Sequence, residues 1–239
     1  MTKENFTSIN VIVDASGSMS HLAHDTIGNF NSFLKEQKAF PGEAVFTLCT
    51  FNTDYRLPHD FVKIAGVPNL DAKTYIPQGG TALLDAMGTT IESVGRKLAA
   101  MPEDERPSKV IFLIITDGHE NSSRRFSAEQ IKSMVEHQKD VYSWEFVFMG
   151  ANIDAIAAGT NLGISAQNTL NYAATAQGTH ELYSTINSSM NAYRSSNSSR
   201  SADFFNQTQQ GVGSVAPVVA PVVTTTTTTT VTPPSTKKK

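Results

Sequence analysis

Val110-Ile111-Phe112-Leu113-Ile114-Ile115 is apolar at every position. A strand with one wetted face alternates polar and apolar residues, so an unbroken run of this kind has to be covered on both sides. Strands of that sort lie in the middle of a parallel sheet, and parallel neighbours need crossover connections, usually helices. The flanking sequence provides both. Ile9–Val13, Val45–Phe51 and Trp144–Met149 read as further strands. Between them fall helical periods: Ile27, Phe30 and Leu34; Leu84, Met87, Ile91, Val94 and Leu98; Ala128, Ile131 and Val135. Ser127 with Gln130 forms a capping box ahead of the last group.

Asn52-Thr53-Asp54 predicts a hairpin turn into Tyr55–Val62, where Pro58 confines the segment to an antiparallel edge. After Gly150, Asp154–Ala158 predicts a short helix and Thr169–Tyr172 a short strand. Leu182, Ile186, Met190 and Tyr193 then predict a closing amphipathic helix. The expected fold is α/β, a doubly wound and mostly parallel sheet with one antiparallel edge strand, over residues 1–195. Residues 196–239 differ in kind. Ser195–Ser201 is small and polar, Pro217 and Pro221 break Val215–Val223, and Thr224–Thr230 is threonine throughout. That composition cannot bury enough surface to offset the cost of ordering, so a low-complexity, disordered tail is expected there.

The chain carries 19 Lys and Arg against 22 Asp and Glu, a net charge of −3. Without the terminal Lys237-Lys238-Lys239 the balance is 16 against 22, or −6. Nucleic-acid binding rewards clustered positive charge, so that class is disfavoured. Val110–Ile115 is the longest uninterrupted apolar run and is too short to span a bilayer; no long apolar leader follows Met1. Cys49 is the only cysteine, so no internal disulfide forms, and a buried inert thiol in a reducing compartment is expected.

Chemistry gathers where strands end. Asp14-Ala15-Ser16-Gly17-Ser18 follows Val11–Val13, and Thr116-Asp117-Gly118 follows Ile115. In a parallel sheet both aspartates emerge at the carboxyl edge, where open α/β folds bind ligands. Gly79-Gly80-Thr81 supplies a third stretch. Magnesium takes oxygen ligands in near-octahedral array, and Asp14, Ser16, Ser18, Thr81 and Asp117 match that inventory. Manganese and calcium fit the same oxygen-only set. Each stretch alone has a plainer use: Asp14 in an Asx turn, Ser18 or Thr81 as a helix cap. Thr81 suits an N-cap for a helix beginning at Ala82. Asp85 supports Thr81 from one turn into that helix, or simply favours the positive helix end. His119 and Glu120 either touch an incoming ligand or cap the next turn, and His21 with His24 reads as polar surface.

The chain order Asp-x-Ser-x-Ser, then Thr, then Asp resembles the von Willebrand factor A-type domain and its metal-ion-dependent adhesion site (MIDAS). Gly80-Thr81-Ala82-Leu83, Thr116-Asp117-Gly118 and Phe148-Met149-Gly150-Ala151-Asn152 are similar to stand-alone bacterial and phage members, over roughly residues 5–193. The resemblance implies a Rossmann-like fold. It implies that Ser16, Ser18 and Thr81 contact the metal, with Asp14 and Asp117 bound directly or through water. The function it implies is a non-enzymatic protein-binding module, cytoplasmic or in host cytoplasm if phage-encoded, whose magnesium accepts a carboxylate from an acidic residue of a partner protein. A shift of the helix near Thr179–Tyr193 would accompany changes at Asp117. Two alternatives use the same residues: a metal-assisted phosphohydrolase, and a structural component of an assembly such as a virion. The first is weakened by Ser16, which stands where Asp-x-Asp enzymes carry a second carboxylate for proton transfer.

Overall fold

A computed structural model describes residues 2–198 and 203–205. Six strands form one sheet: β1 (Lys3–Asp14), β2 (Glu43–Phe51), β3 (Tyr55–Lys63), β4 (Pro107–Thr116), β5 (Glu145–Gly150) and β6 (Thr169–Asn171). Their order is β3-β2-β1-β4-β5-β6. Only β3 runs antiparallel to its neighbour, across a hairpin in which Asn52 N–H donates to the Asp54 carbonyl at 3.0 Å. The expected mixed, doubly wound architecture is present. Strand order reverses at the β1–β4 junction, the place where such folds open a ligand crevice. Those two strands carry Asp14 and lead directly into Asp117.

Helices cover both faces. α1 (Ala23–Ala39) and α5 (Ala176–Ser195) pack on one side; α2 (Leu83–Ala100), α3 (Ala128–Tyr142) and the short α4 (Ala155–Asn161) pack on the other. Alternate residues of β1 divide between them: Ile9, Val11 and Val13 join the layer of Phe30, Phe33, Ile186 and Met190, whereas Ile12 joins that of Met87, Ile91 and Ile131. Every residue of Val110–Ile115 is buried, as its composition requires. Surface ion pairs such as Lys3–Glu43 at 2.6 Å are exposed to water, which screens them, and they add little to stability. The fold therefore rests on the two apolar layers.

Local sequence sets the helix starts. Ser127 and Gln130 make the expected capping box, Asp154 caps α4 through Ala157 N–H, and Thr175 caps α5 through Gly178 N–H. Two expectations are corrected. Thr81 does not cap α2, which begins at Leu83 with Ala82 before it and no side-chain cap. The folded unit also passes the expected boundary at residue 195. Phe204 and Phe205 are buried, with the Phe204 ring 6.3 Å from Tyr193 and Phe204 N–H donating to Asn168 Oδ1 at 3.0 Å. Residues 199–202 and 206–239 of the expected tail lie outside the described residues. Among the described residues no helix is long and apolar enough to cross a membrane.

Candidate metal centre

The end of β1 turns sharply into a short 3-10 segment, Gly17–Leu22, that the sequence pattern does not suggest. The turn is held by Asp14, whose Oδ1 accepts from Ser16 N–H at 2.6 Å. Asp14 Oδ2 accepts from Thr116 Oγ1, also at 2.6 Å, so the carboxylate ties the ends of β1 and β4 together. Ser16 Oγ lies 3.0 Å from Ser18 Oγ, and Ser18 Oγ donates to Asp117 Oδ1 at 2.6 Å. Four of the five expected residues are thus joined in one hydrogen-bonded chain across the β1–β4 junction.

Thr81 approaches from a different loop. Gly17 N–H donates to Gly79 O at 3.0 Å and Gln78 N–H to Ala15 O at 2.9 Å, stitching this loop to the first turn. A Cβ placed at Gly118 would stand 3.8 Å from Thr81 Oγ1 and 3.9 Å from Ser18 Oγ, so both hydroxyls close on the backbone beside Asp117. The two glycines before Thr81 are constrained differently, one by backbone conformation and one by close approach. Gly79 has φ +71°, and a Cβ at Gly80 would fall 2.8 Å from Asn121 Oδ1, the atom that accepts from Thr81 N–H.

The electrostatics leave a deficit of positive charge. Asp14 is fully buried, and that burial pushes its carboxyl above the ordinary range; hydrogen bonds from Thr116 and Ser16 oppose the shift and the nearby Asp117 charge adds to it. Asp117 Oδ2 is buried with no hydrogen-bond partner. An unpaired carboxylate oxygen beside a second buried carboxylate is costly in an apolar setting. Two carboxylates with three hydroxyls suit a hard divalent cation, which neutralises the pair and takes up the orphaned oxygen. The residues present fit such an ion.

Several supporting residues carry no signal of their role in the sequence. Tyr75 OH donates to Asp14 O at 2.6 Å, and Tyr172 OH to Thr116 O at 3.3 Å, fixing the peptides that bear or precede the carboxylates. Thr116 enters the sequence pattern only as a neighbour of Asp117. His21 is occupied by the carbonyls of Ser18 at 2.7 Å and Ala174 at 3.3 Å. Among the described residues no three His, Cys, Asp or Glu side chains group as a separate metal site. Of the alternatives left open for Glu120, the structure shows capping: Oε1 accepts from Ser122 N–H at 2.8 Å and Ser123 N–H at 2.7 Å.

No family model matches the chain, and no curated protein matches it in sequence. Solved structures do match in fold. The PilB minor pilin from Streptococcus sanguinis aligns with a TM-score of 0.55 at 13% identity, covering 79% of this chain and 62% of that one. Proximal thread matrix protein 1 from the mussel byssus, in a structure with a zinc-occupied MIDAS motif, gives a TM-score of 0.53 at 16% identity, covering 78% and 46%. A von Willebrand factor type A protein from Catenulispora acidiphila gives 0.50 at 14% identity, covering 80% and 43%. The chain therefore spans between about two fifths and three fifths of the length of these structures. Strand order, flanking helices and these likenesses together identify the fold of this chain as that of the von Willebrand factor A-type domain.

Proposed function

We propose that the chain is a metal-dependent protein-binding module, with magnesium held by Asp14, Ser16, Ser18, Thr81 and Asp117. The observation that carries this reading is Asp117 Oδ2, a buried carboxylate oxygen without a partner at the end of a chain of hydroxyls. The zinc-occupied MIDAS motif of the byssus protein supports it. Hydroxyl ligands are neutral, so two carboxylates leave a divalent ion electrophilic, and that ion attracts an anionic oxygen from outside. A Glu or Asp of a partner protein supplies one. The bound ion thus furnishes an electrostatic anchor, while the loops around it select the partner.

The site favours binding over hydrolysis. Ser16 Oγ sits 3.0 Å from Ser18 Oγ, Ser18 Oγ is engaged by Asp117 Oδ1, one of the proposed ligands, and Asp14 is already committed to Ser16 N–H and Thr116. The test is affinity capture with wild type and Asp14→Ala, each in magnesium and in chelator. Proteins retained by wild type in magnesium, and lost both on chelation and in Asp14→Ala, are expected. Capture unchanged by either treatment overturns the reading.

A further inference from the structure

The first turn of any α-helix leaves backbone N–H groups unsatisfied, and a Ser, Thr, Asp or Asn at the N-cap usually serves those of the second and third residues. α2 has Ala82 at that position and no side-chain cap. Its second and third N–H groups are instead met from across the centre. Leu84 N–H donates to Glu120 Oε2 at 3.0 Å, and Asp85 N–H to Ser123 Oγ at 3.0 Å. The same Glu120 Oε2 accepts from Ser123 Oγ at 2.8 Å. Contacts also run the other way. Asp85 Oδ1 accepts from the N–H groups of Arg125 at 2.9 Å and Phe126 at 3.0 Å, and Oδ2 from Arg124 N–H at 2.9 Å. Thr81 itself is joined to the loop, its N–H donating to Asn121 Oδ1 at 2.9 Å and its carbonyl accepting from Asn121 and Ser122 N–H.

We infer that Glu120 and Asp85 are positioning residues for the metal centre: a reciprocal carboxylate clasp that fixes the Thr81 loop against the Asp117 loop. The inference rests on the metal-binding reading above. Two consequences of the clasp bear on the ion. Because Glu120 and Ser123 cap α2, the Thr81 hydroxyl is released from capping and stays beside Gly118, the residue after Asp117. And because Glu120 sits on the N-terminus of α2, its negative charge offsets the positive helix end that would otherwise oppose a cation. Neither carboxylate needs to touch the metal.

Glu120→Gln isolates the link. The amide keeps an oxygen for Ser122 and Ser123 N–H, but its NH2 cannot accept from Leu84 N–H. Manganese or magnesium titration by calorimetry, paired with thermal melting in chelator, is the measurement, on the full chain. Glu120→Gln and Asp85→Asn are expected to weaken metal binding about tenfold, the usual scale for groups that orient ligands. Ser123→Ala, which removes only a hydroxyl, moves affinity in the same direction and provides a folded variant should either substitution prevent folding. Metal affinity equal to wild type in these variants overturns the clasp, including the case where only the melting temperature in chelator falls. Absence of metal binding in wild type overturns the metal reading and the clasp with it.

Discussion

Asp117 shows how one side chain is asked to satisfy two conditions. One oxygen is served by Ser18; the other is buried and unserved. Asp117→Asn keeps an acceptor for Ser18 and removes one of two neighbouring negative charges. In chelator it is therefore expected to melt no lower than wild type, whereas the rise in melting temperature that magnesium gives wild type should vanish. A magnesium-dependent rise equal to that of wild type would contradict the assignment. At this scale the sequence is informative for side chains whose job is local. Asp14, Ser16 and Ser18 lie within one turn, so their spacing alone signals convergence. Glu120 and Asp85 are visible as acids near the motifs, but each serves N–H groups 36 or more positions away, and no local pattern encodes that choice.

Among the elements, strands are the most legible because burial on two faces leaves an unbroken apolar run, as in β4 and β5. The 3-10 segment after Ser16 is not, since the Asp14 turn and the Gly79 carbonyl shape it, and neither contributes a hydrophobic period. α5 is tied at its C-terminal end: Lys109 Nζ donates to the carbonyls of Tyr193 at 2.7 Å and Arg194 at 3.0 Å, and Arg194 donates to Gln37 O at 2.9 Å. β3 carries a pH-sensitive group. Burial depresses the pKa of His59 below its ordinary value, and the Lys38 charge adds to the effect. A depressed folded value means that the unfolded chain takes up the proton first, so this contribution is intact above about pH 6.5 and is lost as pH falls. The melting temperature should drop between pH 7 and pH 5, with a shallower drop in His59→Gln. Identical slopes would remove His59 as a source.

For the whole molecule, the boundary of the fold is the point where composition misleads. Ser195–Ser201 has the character of a linker, and two aromatics beyond it carry no period. Tertiary contacts decide their fate: Phe204 is 1% exposed, set between Tyr193 and Phe205. Phe204→Ala is expected to cost about 3–5 kcal/mol, the scale of a large-to-small change in a core. Truncation after Ser198 should lower the melting temperature comparably, and a truncated chain that melts with wild type would place these aromatics outside the folded unit.

Phe204 docks beside Asn168, which hydrogen-bonds Glu145 at the first residue of β5, whereas Asp14 and Asp117 stand where β1 and β4 finish. The two attachment points are at opposite poles of the sheet. Tension drawn between a captured partner and the chain beyond Phe205 would run lengthwise through the parallel strands, loading their ladders in shear. Many bonds would then share the force at once, where peeling would break them one after another.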